Sequence, residues 1–121
     1  MEIKDGLYYS EDHEWVRVDG DKAYIGLTDF AQGHLGDIVF VELPDLDSLF
    51  EAGAAIGAIE SVKAVSDMHT PVSGKVLAVN EALDDSPELV NQDPYGQHIA
   101  VLKMSDRADL DKLMNSADYA A

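Results

Sequence analysis

The sequence predicts a mainly β domain, a small barrel or sandwich with short helices, and three observations carry that expectation. Strand-length runs rich in Val, Ile, Tyr and Ala alternate with Gly, Pro, Asp and Asn clusters along most of the chain. The chain has 121 residues, 46% hydrophobic and 26% charged, which suits one compact domain over 1–121. A helical periodicity of useful length falls at the C-terminal end.

Taken in order, Leu7-Tyr8-Tyr9, Glu14 to Val18 and Lys22 to Leu27 read as strands, the last two joined as a hairpin through Asp19-Gly20-Asp21. Thr28-Asp29 offers N-caps for a short helix through Phe30-Ala31-Gln32, and Gly33 and Gly36 limit it to about two turns. Asp37 to Leu43 is nearly continuous in its apolar residues, so a strand buried on both sides is expected before Pro44 ends it. Further strands are expected over Ala54 to Ile59, Val62 to Asp67, Gly74 to Val79 and His98 to Met104. Ser86-Pro87-Glu88-Leu89 reads as an N-cap followed by Pro at the first helical position, a single turn. Beyond Ser105 or Asp106, Leu110, Leu113, Met114 and Ala117 recur at i, i+3, i+4 and i+7, which predicts a terminal amphipathic helix. The segments beginning at Gly36 and Gly74 share an apolar pattern, a faint internal repeat.

Composition removes several classes of function. Eight Lys and Arg against 24 Asp and Glu leave a net charge of −16, which repels nucleic acid and anionic membranes. With no cysteine, disulfides, thiolate metal sites and a catalytic thiol are excluded, so thiol chemistry must arrive on an attached group. No stretch approaches the roughly 18 apolar residues of a membrane span, and the N-terminus lacks a signal core, so a cytoplasmic location is expected. Site motifs fail position by position. After His13-Glu14 the second His of a zinc helix would fall at Arg17, and His34, His69 and His98 lack ligand spacing, so no metal is expected. Ser66, Asp67 and His69 supply hydrolase residue types, but neighbours on one strand alternate faces and cannot converge.

One segment survives. Glu60-Ser61-Val62-Lys63-Ala64-Val65-Ser66-Asp67 is nearly palindromic about the Lys63–Ala64 bond, so a tight reversal there makes Glu60 and Asp67, Ser61 and Ser66, and Val62 and Val65 cross-strand pairs with Lys63 at the tip. The turn lacks the Gly or Asn-Gly that a structural hairpin prefers, and Glu60 opposite Asp67 is a like-charge pair that a cation or partner must use.

Together with His13-Glu14-Trp15-Val16, Thr28 to Gln32, Leu35 to Val41, Pro71-Val72-Ser73-Gly74 and Asn91 to Tyr95, this segment resembles the H-protein family of the glycine cleavage system over nearly the whole chain. The resemblance implies a barrel-sandwich hybrid like other lipoyl and biotinyl carriers, with lipoic acid amide-linked to Lys63. Val62 and Ala64 stand where biotin carriers place Met, which disfavours biotin. It also implies a monomeric carrier, not an enzyme, that moves an aminomethyl group between glycine decarboxylase and aminomethyltransferase. Dihydrolipoamide dehydrogenase reoxidises the arm, and a lipoate ligase or lipoyl transferase/synthase installs it. Glu14 and Asp67, with His34 nearby, are implied acceptors for the arm's cationic amine, and Glu60 joins them as a recognition residue. One departure stands out: Gln97-His98-Ile99 follows Gly96 where the family continues with Trp, so Ile99 is expected to fill a smaller version of that core site. A divergent copy acting as a lipoyl donor or relay is the alternative this leaves open.

Overall fold

The computed structural model describes residues 2–120. Among these residues nine strands form two antiparallel sheets that do not close into one barrel. The larger follows the order β1 (Tyr8–Tyr9), β2 (Glu14–Asp19), β3 (Lys22–Leu27), β9 (Ala100–Met104), β8 (Gly74–Val79), β5 (Leu49–Phe50), and the smaller is β4 (Ile38–Glu42), β6 (Ala55–Ser61), β7 (Val65–His69). The predicted strands are present except that Val62 to Ala64 belong to a turn, so that β7 runs from Val65 to His69, and β5 is a strand not expected from the sequence. The β2–β3 hairpin turns through Gly20, whose φ of 63° is the left-handed conformation glycine adopts without penalty.

Inward residues of both sheets, among them Val16, Ile25, Val41, Ile59, Val76 and Leu102, form the main core. A second cluster of Leu7, Tyr9 and Trp15 lies around the outer β1–β2 ribbon. Trp15 pairs with Gly26 across the ladder, and a Cβ at Gly26 would sit 2.5 Å from the indole, so the ring packs flat only because that position is glycine. The indole N–H donates to Pro94 O at 3.0 Å, which anchors the Asn91–Tyr95 segment.

Four expectations are corrected. β4 is not buried on both sides: it is an edge strand, and Val39 and Phe40 are 49% and 50% exposed. Its continuous apolar run therefore reflects one core face plus an uncovered outer face. The helical turn expected from Ser86 is α3 (Leu89–Gln92), with Glu88 rather than Ser86 at its N-cap, and a second turn, α2 (Ala82–Asp85), precedes it. Ser86 closes α2 with a non-helical backbone (φ −134°, ψ 64°), because the ring of Pro87 disfavours a helical residue before it. The terminal amphipathic segment is interrupted: a 3₁₀ helix spans Arg107–Lys112, Met114 pairs with Tyr9, and α4 runs Ser116–Ala120. Edge strand β1 has unpaired backbone groups, and Met114 satisfies them through two 2.8 Å bonds that a continuous helix would forfeit. The fourth correction concerns the register at the tip, described below. The two similar segments after Gly36 and Gly74 become β4 and β8 in different sheets.

Candidate functional site

The β6–β7 hairpin reverses one residue earlier than the palindrome predicts, which shifts every cross-strand partner by two. Glu60 faces Val65, Ile59 faces Ser66 and Ala58 faces Asp67, so Glu60 and Asp67 are not a like-charge pair. A two-residue shift leaves Ile59 and Ser61 facing inward and Glu60 outward in either register, so what selects this one is the turn, which Ser61 closes by donating its N–H to Ala64 O at 2.8 Å and by side-chain bonds to the same residue. The tip is then Val62-Lys63-Ala64, and buried Ser61 replaces the missing turn glycine. Its hydroxyl donates to Ala64 O at 3.2 Å and accepts from Ala64 N at 3.2 Å and Lys63 N at 3.4 Å. Val62 N donates to Asp37 O at 3.0 Å, tying the tip to the start of β4.

Lys63 itself is exposed, and its chain runs beside Gly36, where an added Cβ would lie 3.4 Å from Lys63 Cε. Gly36 is the C-cap of α1 (Asp29–Leu35), with a φ of 80° and ψ of −155° that other residues adopt only under strain. Thr28 caps the other end, accepting from Ala31 N at 3.2 Å, as the sequence predicts. Asn91 fastens the Gly36 end: its Nδ2 donates to Gly36 O at 2.8 Å and its Oδ1 accepts from Ile38 N at 2.9 Å.

Helix α1 forms one wall of a cavity of about 140 Å³. Leu27, Phe30, Ala31, Leu35 and Ile59 supply apolar walls, while Glu14, His34, Ser66 and Asp67 supply polar groups. The structure thus brings together Glu14, His34 and Asp67 from three separate segments. Exposed Glu60 does not line it, so its place as a cleft residue is not supported. Phe30 and His34, one helical turn apart, stack with ring centroids 6.0 Å apart.

Glu14 is 2% exposed and its carboxylate is held at both oxygens. Oε1 accepts from the Ser10 hydroxyl at 2.7 Å and Oε2 from His69 N at 3.1 Å. Burial, the largest influence, raises its carboxyl above the ordinary value, against the lowering effect of those two bonds. A cation brought to this carboxylate would restore the compensation that desolvation removed, and each oxygen keeps a lone pair for it.

Asp12, Glu14 and His69 place ligand atoms within 4.8 Å of one another. Glu14 already serves two donors of its own chain, and His69 Nδ1 lies 3.9 Å from the exposed Asp12 carboxylate. A hydrolase triad does not form: Ser66 Oγ donates to Asp67 O at 3.4 Å rather than meeting His69. Ile99 is 1% exposed in the main core and does not line the cavity.

Several members of this arrangement were not legible as site residues. Ser61, Phe30, Leu35 and Ile59 carry no chemistry that distinguishes them in sequence, although helical spacing of Phe30, Ala31, His34 and Leu35 does place them along α1.

Lys63 lies beside Gly36, the C-cap of the helix that carries Phe30, Ala31, His34 and Leu35 into the cavity, and the cavity offers apolar walls and a buried carboxylate, so the residues present fit a lipoyl arm.

Comparison with known proteins agrees in both sequence and shape. Residues 7–121 match the family model described as glycine cleavage H-protein. Curated glycine cleavage system H proteins from Thermoanaerobacter sp. (strain X514) and Brevibacillus brevis are 56% and 55% identical, covering 98% and 100% of this chain and 94% and 97% of the relatives. The crystal structure of a glycine cleavage system H protein from Mycobacterium marinum superposes with a TM-score of 0.90 at 34% identity, covering 98% of this chain and 96% of that one.

Proposed function

Because the chain belongs to the glycine cleavage H-protein family, the lipoyl carriers of the glycine cleavage system, we propose that Lys63 is its lipoylation site and that the α1 cavity shelters the end of the arm between partners. The observation that carries this reading is the position of Lys63: it sits on a side-chain-locked tip, with its methylenes against the C-cap of the helix that walls the cavity.

The lipoyl group supplies the dithiol/disulfide couple and carbon-accepting sulfur that a cysteine-free chain lacks. The protein's own residues do the rest. Ser61 and Asp37 hold the tip so that Lys63 is offered at a defined place to the enzyme that modifies it. Leu27, Phe30, Leu35 and Ile59 exclude water from the cavity. Glu14, desolvated and oriented by Ser10 and His69, accepts the cationic amine of a one-carbon cargo, with Asp67 and His34 at the same opening.

The partners in this reading are glycine decarboxylase, aminomethyltransferase and dihydrolipoamide dehydrogenase, with a lipoate ligase or a lipoyl transferase/synthase acting beforehand. The carrier works as a cytoplasmic monomer, one domain over 1–121. The acidic surface left by a net charge of −16 steers brief encounters with several enzymes without demanding tight binding. No helix among the described residues is long and apolar enough to cross a membrane.

Intact mass after expression with lipoate and a lipoate ligase tests the attachment. One lipoyl increment on the wild type and none on Lys63→Arg is the expected result. An unmodified wild type, or an increment retained in Lys63→Arg, overturns it.

A further inference from the structure

We infer that Tyr119, on the C-terminal helix, is a positioning residue of the cavity, holding His13 and through it the backbone that aims Glu14; this rests on the reading of the cavity as the resting place of the arm. His13, the residue before Glu14, has a φ of 65°, a left-handed conformation in a residue with a side chain. Such strain persists where surrounding contacts over-determine it, and it collects at functional positions. Here the contacts are on the page. His13 N donates to Ser10 O at 3.2 Å, and His13 O accepts from Thr28 N at 3.1 Å. The imidazole sits against Phe30 with centroids 4.5 Å apart, and its Nδ1 lies 2.7 Å from the Tyr119 hydroxyl.

That hydroxyl has a second partner, Thr28 Oγ1 at 2.8 Å, the same oxygen that caps α1 by accepting from Ala31 N. One phenol therefore ties together the bend that precedes Glu14 and the N-terminus of the helix carrying Phe30, Ala31 and His34. Tyr119 is itself fixed from behind. Its ring stacks on Tyr9 at 4.5 Å and 7°, and α4 is held to the body by the Met114–Tyr9 bridge and by Ser116 Oγ donating to Asp5 Oδ1 at 2.6 Å. The last turn of the chain thus fastens two walls of a cavity to which it contributes no lining residue.

The test uses the full chain with Tyr119→Phe, which keeps the stacked ring and removes the hydroxyl. Two quantities are read: the imidazole nitrogen chemical shifts of His13 in the unmodified protein, and the half-life of the aminomethyl-loaded arm in the lipoylated one. The variant is expected to move the Nδ1 signal and shorten the half-life about fivefold, the equivalent of one ordinary hydrogen bond. His13→Gly, which tolerates the left-handed backbone but lacks the ring, is expected to shorten it similarly, and adding Tyr119→Phe to it costs clearly less than the same substitution does in the wild type, because only the Thr28 bond is left to lose. A wild-type arm no longer-lived than the free small-molecule adduct overturns the sheltering reading and this inference with it. A protected wild type with an equally protected Tyr119→Phe, or strictly additive effects of the two substitutions, overturns the inference alone.

Discussion

Lys63 and Glu14 are the two ionisable groups on which the proposed function rests, and the fold treats them in opposite ways. Lys63 is exposed on a tip flanked by Val62 and Val65, which are 68% and 69% exposed, and the tip is held by one serine hydroxyl and by two backbone bonds, Ser61 N to Ala64 O and Val62 N to Asp37 O. Glu14 is 2% exposed, begins a strand of the larger sheet, and has both carboxylate oxygens bonded. The difference teaches what each position is for. A modification site must be reached by another enzyme's active site, so it is left out in solvent on a short rigid turn. A site that receives a charge must hold its dipoles before the charge arrives, so it is buried and bonded in advance.

That contrast is broken most severely at the residue both regions share. Ile59 is 2% exposed, lines the cavity and lies on the strand leading to the tip, so Ile59→Ala is expected to cost about 3 kcal/mol through cavity formation, read as a lowered denaturation midpoint. Val62→Ala at the tip serves as its control and is expected within about 0.5 kcal/mol.

Ser61→Ala comes next. It removes the hydroxyl that closes the turn, and a loss of about 1 kcal/mol is expected, together with several-fold slower lipoylation measured by intact mass against time. An unchanged rate would show that the tip needs no pre-ordering.

Glu14→Gln is expected to have the smallest effect on folding and a large one on sheltering. The ordinary carboxyl value is 4.5 and burial raises it in the folded protein, so the native state holds its proton more tightly than the unfolded chain. Stability from this group therefore falls as pH rises from about 4.5 through the raised value, and above that value the buried charge is a burden. Asp12 adds to that effect and His69 opposes it. Glutamine keeps an acceptor for His69 N and offers a donor to Ser10, so the variant is expected to be at least as stable at neutral pH, with a flatter pH dependence than the wild type in chemical denaturation. Its loaded arm is expected to hydrolyse roughly tenfold faster, the worth of one charge-assisted hydrogen bond. A less stable variant with an unchanged arm lifetime would invert the comparison.

How much was legible beforehand differs between the two regions for the same reasons. The tip was found from sequence because a Lys in a turn without glycine is a local anomaly, although its register was misplaced by two residues. The near-palindrome is a property of the string, whereas pairing was set by the turn that Ser61 closes onto Ala64. The cleft residues Glu14, His34 and Asp67 came from resemblance alone, because no local pattern links a strand start, a helix end and a hairpin arm.

By itself the sequence determined the strand-rich class, the short capped helix, the hairpin at Gly20 and the exclusion of intrinsic thiol chemistry. These depend on propensity, spacing and composition, which act over a few residues. Tertiary structure alone decided that β4 is a half-exposed edge, that Met114 abandons helical periodicity to satisfy Tyr9, and that the hydroxyl of Tyr119 meets His13 across 106 positions of chain. In each case an exposed ladder edge or a polar group in need of a partner outweighed local preference, and such partners are supplied by the packed fold rather than by neighbours in sequence.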